Sequence, residues 1–524
     1  MSAPISSSPS PRPTRRPRAA VVAGAVGLAG AALAATAWRA PAPEGAMLEQ
    51  VMQLVADRHL QEGAPIDVYE TTARGLVKEL RDPYSVLLAP KDLESFNRTT
   101  LGQYAGIGVE VSTVGDATLV GEVYPNGPSA AAGLRRGDRL VAVEGRPMRG
   151  LSLDSVVAQI RGTPGSPVRV TIARGAGEPT DVTLTRAVVH VPAVPYAFVD
   201  RGVGYLPLPS VSGTAGQDVA DAIVRLRRAG ARKLVLDVRG NPGGAVPEAV
   251  RVAGEFLPQG SEALDVRERG RTMTLRTPLP GAHHDLPVVV LQDGRSASAA
   301  EIITGALQDH DRALVVGTRS YGKGLAQAVY PVEGGYALKL TTARWYTPSG
   351  RTIHRDRTAA DSLRHGDEDH VARDSVHRSL GGRTLIGGGG IVPDVVVDYD
   401  TLTTVEQKVA GRLARGARSA QVLANVTHAL SVGVDSAFRV TPEWRERLRR
   451  ELATAGVPID STDWAGAAPY VTRLIEGRVA EFAFGRAESR RRALASDRQY
   501  VVADSLLRAA RTPAELIAGV RTPR

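Results

Sequence analysis

Three short apolar runs constrain this chain most: Lys233 to Val238, Leu286 to Leu291 and Ala313 to Val316. Bounded by turn residues, they read as strands. Helical patterns follow the first two, from about Val246 and from about Ser298. Strand alternating with helix implies a layered α/β architecture across residues 189–400. Gly387 to Gly390 then lead into a last strand, Val395 to Val397.

The turns after these runs carry the chemistry. Ser298 lies in Gly294-Arg295-Ser296-Ala297-Ser298-Ala299-Ala300-Glu301, at a strand-to-helix junction. Ser298-Ala299-Ala300-Glu301 is also a capping box, with serine at the N-cap and glutamate at N3. The two roles are compatible, because a helix start offers backbone N–H groups and a positive dipole end. Such groups can stabilise an oxyanion. Ser296 is a competing nucleophile. Lys323 sits between glycines in Ser320-Tyr321-Gly322-Lys323-Gly324, with Gln327 four residues on. A lysine acting as base needs its pKa brought from about 10.4 to roughly 7, a differential stabilisation of about 4–5 kcal/mol. Burial in an apolar site can supply it. The alternative is a surface turn lysine; the pattern is not a P-loop. Asp237-Val238-Arg239-Gly240-Asn241-Pro242-Gly243-Gly244 closes another strand with a glycine-rich turn able to present N–H groups to negative charge, or serving as an ordinary turn.

At 524 residues the chain is too long for one ordinary core. Its net charge of +10 comes from arginines spread along its length without basic-aromatic alternation, which argues against nucleic acid as a partner. The absence of cysteine excludes disulfides, thiolate metal sites and cysteine nucleophiles. Residues 1–38 combine a basic flank, Thr14-Arg15-Arg16-Pro17-Arg18, with an uncharged stretch from Ala19 to Trp38. That is an export signal, cleaved near Ala35-Thr36-Ala37 or retained as a membrane anchor. The positive flank stays cytoplasmic and the rest is exported to the cell envelope, periplasmic or anchored to the inner membrane.

Residues 39–98 carry helical spacing at Met47, Val51, Leu54 and Val55, then at Tyr69, Ala73, Leu76 and Leu80. Residues 99–188 alternate short β-rich runs with turns and hold one helix, near Ser152 to Ile160. This is a small, mostly β domain with an exposed sheet edge. Residues 355–382 form a polar, His-containing insertion, and 401–524 return to helical spacing. His283, His284, His354, His365, His370 and His377 show no regular ligand spacing and read as solvated surface. A metal-dependent hydrolase built on them, or a triad using His283 or His284, are rival readings. No metal or organic cofactor is expected.

Together these segments resemble the C-terminal processing serine peptidases (tail-specific proteases) over roughly residues 45–400. Gly294 to Glu301 with Ala306-Leu307-Gln308-Asp309 is similar to the family's nucleophile segment, and Tyr321 to Gly324 with Gln327 to its lysine segment. Asp237 to Gly244 is similar to its Asp-Leu-Arg-x-Asn-x-Gly-Gly turn, with Val238 in place of leucine. Leu80-Arg81-Asp82-Pro83-Tyr84-Ser85 is similar to its Leu-Asp-Pro-His-Ser stretch, with Tyr84 in place of histidine. Tyr346 to Arg351 and Ile391 to Asp394 match two further segments.

The resemblance implies Ser298 as nucleophile, Lys323 as general base and Gln327 as the residue that orients the lysine. Ser296 is set aside, because the family's serine stands three residues before the glutamate. The oxyanion donors would be the N–H groups of Gly244 and Ala299, with Gly243 as second choice. Residues 99–188 would be a PDZ domain whose Gly106-Ile107-Gly108-Val109 captures a terminal carboxylate while the tail adds to a sheet edge. Arg161 would couple capture to the active site. The expected fold is multidomain α+β: a PDZ domain plus a layered Clp protease/crotonase-like peptidase core, with helical N-terminal and C-terminal regions. The implied partners are proteins with accessible C-terminal tails, with a homo-oligomer or an adaptor as further options. The alternative is a non-catalytic PDZ scaffold.

Overall fold

The computed structural model describes residues 43–58, 67–278, 281–355 and 375–520. The expected export segment and most of the insertion, with His365 and His370, lie outside the described residues. No helix among the described residues is long and apolar enough to cross a membrane. The chain divides into residues 1–76 and 77–524. In the first unit Pro43–Arg58 forms a helix, with Met47, Val51, Leu54 and Val55 exposed.

In the second unit a six-stranded sheet runs in the order Phe198–Asp200, Val203–Pro207, Lys233–Asp237, Val288–Gln292, Leu314–Gly317, Val395–Val396. Its first pair is antiparallel and the others are parallel. The apolar runs are unbroken because both faces are covered. Leu234, Leu236, Val288 and Val290 join one core with helices Ala215–Arg228, Val246–Gly254 and Ala299–Asp309. Val235, Val289, Leu291, Leu314 and Val316 join another with Tyr500, Ala503 and Leu507 of the helix Arg498–Ala509. Each such Val or Leu contributes about 1.5–3 kcal/mol by leaving water.

A second sheet, antiparallel and five-stranded, closes the helix layer from its far side through Leu264, Val266, Ala343 and Trp345. Its long strand Tyr336–Tyr346 pairs with Leu325–Val332, with Glu262–Glu268 and with Val86–Leu88. The expected helical stretch 39–98 therefore also contains a strand. Strand-to-strand pairing outweighs local pattern there, since three residues hold no periodicity to read. The insertion likewise ends in structure: Ser375–Arg378 pairs with Thr384–Gly387.

The β-rich domain has its own core, including Ile107, Val109, Val111, Val156, Ile160 and Val170. Its sheet runs Val109–Val114, Ala117–Val123, Arg139–Val143, Pro167–Ala173, Thr180–Thr185, so Val109–Val114 is an edge strand. The helix Leu153–Ile160 is capped by Ser152, whose side chain accepts from the Ser155 N–H. The chain enters and leaves this domain through one antiparallel ribbon, Gln103–Gly106 against Ala187–His190. In the C-terminal region Val409, Leu413, Leu448 and Leu452 bury together with Trp464, Val471 and Ile475.

Candidate active site

The Val288–Gln292 strand passes through a tight turn into the helix Ala299–Asp309, and Ser298 stands at the junction. Its backbone has φ 55° and ψ −115°, a conformation that costs a non-glycine residue about 1–3 kcal/mol and recurs at functional turns. Ser296 is only 1% exposed; its hydroxyl accepts from the Asp293 N–H at 2.9 Å and donates to the Val238 carbonyl at 2.8 Å. Ser296 therefore staples the turn, whereas Ser298 is partly open.

Glu301, fully buried, ties this turn to the lysine loop. One carboxylate oxygen accepts from the Ser298 N–H at 2.7 Å and from the Lys323 N–H at 2.9 Å. The other accepts from the Gly322 N–H at 2.7 Å and the Ser320 hydroxyl at 2.5 Å. The backbones of Ser298 and Lys323 thus meet at a single atom. Burial pushes Glu301 above the ordinary carboxylate range, opposed by these four donors. Gly322 is required in the loop: its φ is +88°, and a Cβ there would lie 3.0 Å from the Gly389 backbone.

The Lys323 ammonium is disfavoured by burial first and by Lys339 second, against opposing pulls from Glu301 and Asp82. The net result lowers its pKa to about 8. Its Nζ lies 4.9 Å from the centroid of the Tyr84 ring, a contact that favours the cation. The Asp82–Ser85 segment therefore belongs to the site. Against the upward push of burial, hydrogen bonds from Ser85, Thr341 and Tyr84 hold Asp82 below the usual carboxylate range.

Gln327 lies on the strand Leu325–Val332 that follows the lysine loop. Opposite Ala326 and Gln327 the pairing skips Thr342, so the extra residue of this bulge lies on the partner strand Tyr336–Tyr346. The Gln327 amide reaches Thr341 Oγ1 at 3.5 Å, and no hydrogen bond joins it to Lys323 among the described residues.

The turn Asp237–Gly244 comes alongside. Gly244 has φ +150°, and a Cβ on it would lie 2.0 Å from the Val211 carbonyl oxygen, so no side chain fits. The Gly243 N–H is spent on Asn241 Oδ1 at 2.8 Å. Neither the Gly244 nor the Ala299 N–H donates to another group among the described residues. Both remain open to a further acceptor.

In the β-rich domain Ile107 is buried; its carbonyl accepts from the Ser129 N–H, and that of Gly108 from the Tyr124 N–H, each at 2.9 Å. Val109 opens the edge strand, and Gly106 ends the entry ribbon. Arg161 caps the helix Leu153–Ile160, with its guanidinium 5.6 Å from the centroid of the Tyr104 ring. It lies at the Gly106 loop, and no hydrogen bond joins it to a catalytic segment among the described residues.

Among the described residues the rival histidines do not assemble, and His283 and His354 are buried rather than solvated. His283 and His284 precede the strand that Ser298 follows, so its five residues, about 16 Å, intervene. No group of three His, Asp or Glu residues that could hold a metal ion occurs among the described residues. Glu301 as bridge, and Asp82, Lys339 and Thr341 around the lysine, are what reading the sequence missed. The only signal for them was Glu301 at N3 and the Asp82-Pro83 stretch.

Residues 202–363 match the model of peptidase family S41, and residues 119–174 match that of the PDZ domain. A probable CtpA-like serine protease of Staphylococcus aureus (strain bovine RF122 / ET3-1) is 32% identical over 309 residues, covering 59% of this chain and 62% of that protein. Its counterpart in Staphylococcus saprophyticus is 31% identical with the same coverage. The match thus spans less than two thirds of the length of these relatives. Among solved structures, the photosystem II D1 C-terminal processing protease is 26% identical with a TM-score of 0.35, covering 68% of this chain and 94% of that one.

Proposed function

We infer that this chain, a member of the C-terminal processing serine peptidases that joins an S41 peptidase segment to a PDZ domain, is an exported endopeptidase using a Ser298–Lys323 dyad. A protein tail adds to the edge strand Val109–Val114, with its carboxylate on the Gly106–Val109 loop and beside Arg161. Ser298 Oγ attacks the scissile carbonyl as neutral Lys323 takes its proton. The Gly244 and Ala299 N–H groups receive the developing oxyanion. As the tetrahedral intermediate collapses, the C–N bond breaks and Lys323 returns the proton to the leaving amine. Water, deprotonated by the same amine, then releases Ser298 from the acyl-enzyme. Export rests on the basic flank and the uncharged stretch Ala19–Trp38.

The observation that carries this reading is the shared carboxylate oxygen of Glu301, which brings the Ser298 and Lys323 backbones together beside an amine lowered to about 8. Cleavage of casein or of a C-terminal tail peptide tests it. Wild type should turn over, and Ser298→Ala and Lys323→Ala should each lose at least about 10³-fold in kcat. If both variants keep wild-type turnover, the dyad is wrong; if wild type binds tails without cleaving them, the chain is a scaffold.

A further inference from the structure

The Asp237–Gly244 turn is held from a part of the chain that no catalytic role has reached. Its distal half is anchored inside the peptidase core. The Gly240 N–H donates to Asp293 Oδ1 at 2.9 Å, Asn241 Nδ2 to the Leu208 carbonyl at 2.7 Å, and the Val211 N–H to the Gly243 carbonyl at 2.9 Å. Its root is anchored by the C-terminal region. The Arg239 guanidinium is bidentate on Asp497, at 3.0 and 2.9 Å, and donates to Gln499 Oε1 at 2.9 Å. Arg490 donates to Asp237 Oδ2 at 3.2 Å, to Asp497 Oδ2 at 3.0 Å and to the Tyr205 hydroxyl at 2.8 Å. The Tyr205 hydroxyl in turn donates to Asp237 Oδ2 at 2.5 Å.

The network balances two carboxylates against two guanidiniums. Asp237, Arg239 and Asp497 expose only 7%, 12% and 14% of their side chains. A buried pair of this kind is weak as a source of stability, but it fixes geometry, since losing one member leaves an unmatched charge. What it fixes is the strand end from which Gly244 departs seven residues later. Donor placement matters steeply, because an error near 1 Å costs about 10²-fold.

We propose that Arg490 and Asp497 are positioning residues for catalysis, holding the root of the turn that aims the Gly244 N–H at the oxyanion. The C-terminal helical region is then part of the peptidase and not an appendage to it. The inference rests on the assignment of Gly244 as an oxyanion donor.

The test uses the full chain with Asp497→Asn, Asp497→Glu, Arg490→Gln and Gln499→Ala. It reads kcat and KM on a tail peptide, melting temperature, and affinity for a peptide boronic acid, which needs both a serine adduct and the oxyanion donors. Folded Asp497→Asn and Arg490→Gln should lose about 10- to 100-fold in kcat, less than the 10²–10³ for deleting an oxyanion donor outright. KM should stay within about twofold, boronate affinity should fall in step with kcat, and Asp497→Glu should recover part of both. Should the charged variants fail to fold, Gln499→Ala, which removes the bond from Arg239 and the one to the Val397 carbonyl while leaving every charge in place, should lose about two- to fivefold in the same pattern. Folded variants with wild-type kcat, or a lowered kcat with unchanged boronate affinity, overturn the positioning role. A wild type without turnover, or a fully active Ser298→Ala, overturns the peptidase reading itself and this inference with it.

Discussion

The turn that carries Ser298 and the turn Asp237–Gly244, the proposed nucleophile and oxyanion turns, are anchored in opposite ways. Ser298 and Lys323 are joined by Glu301, whose four partners all lie between residues 298 and 323. The Asp237–Gly244 turn is held at its root by Arg490, Asp497 and Gln499, more than 250 residues away in sequence. The first anchor is one anion surrounded by neutral donors, and the second is a mesh of paired charges. A single buried acceptor of four donors has no substitute, so its loss is catastrophic. A mesh that loses one member carries an unmatched charge but keeps its other contacts. The two halves of the site should therefore fail differently.

Glu301→Gln is the sharpest way to break that contrast. Its amide nitrogen would face two donors and leave both unpaired, at about 1–3 kcal/mol each. The variant should lose at least about 3 kcal/mol of unfolding free energy in urea and more than about 10³-fold in kcat/KM, beyond any single change in the Arg490–Asp497 mesh. Equal stability and activity for Glu301→Gln and Asp497→Asn would erase the distinction.

Gly244→Ala probes the oxyanion side directly. Its Cβ would meet the Val211 carbonyl oxygen at 2.0 Å, so the turn must move. Turnover should fall about 10²–10³-fold, as for a lost oxyanion donor, while the affinity of the PDZ domain for a tail peptide stays unchanged. Loss of peptide affinity in the same variant would mean that the turn does not act on chemistry alone.

The lysine side carries a pH signature that the mesh lacks. Burial and Lys339 lower Lys323 to about 8 against Glu301 and Asp82. With the neutral amine as the proposed base, kcat/KM should rise with pH and level off above about 8, falling about tenfold for each unit below it. Asp82→Asn removes an anion that favours the ammonium and should shift the profile to lower pH. Lys339→Met removes a like charge and should shift it higher. Stability has the same sign: between the folded value and 10.5 the unfolded chain binds more protons at this lysine, so folding gains as pH rises through that window. A profile flat from pH 6 to 9 would remove Lys323 as the base.

The same contrast decides what the sequence makes legible. The strands flanking Ser298 and Lys323 could be read because both faces are buried and the apolar runs are unbroken. Ser298 and Glu301 could be read because a helix start has a three-residue grammar. The double duty of Glu301 could not, since no local pattern says which loop reaches a buried carboxylate. The hydrogen bond from Gln327 to Thr341 could not, since the skipped pairing at Thr342 leaves no trace in periodicity. Val86–Leu88 is too short to carry a pattern, although it adds a strand to the second sheet. Arg490 looks like any charge on a helix and Asp497 like an ordinary helix N-cap, and only the fold brings them to Asp237.

The weakest expected effect lies where the C-terminal region touches the PDZ edge strand. Arg486, one helical turn before Arg490, pairs with Glu110 on the strand Val109–Val114. Their side chains are 38% and 40% exposed, so water and salt screen the pair, and such exposed pairs contribute about 0.2–1 kcal/mol. A double-mutant cycle on Arg486→Ala and Glu110→Ala, read as unfolding free energy, should give a coupling in that range that fades as salt rises toward 1 M, where the screening length is about 3 Å. Turnover of a tail peptide should change less than about twofold, because the helix Arg486–Leu494 would still be held at Arg490 by Asp237 and Asp497. A salt-resistant coupling, or a turnover loss as large as that of Asp497→Asn, would instead make this helix a strut between tail capture and the oxyanion turn, ending the division between a locally anchored and a remotely anchored half of the site.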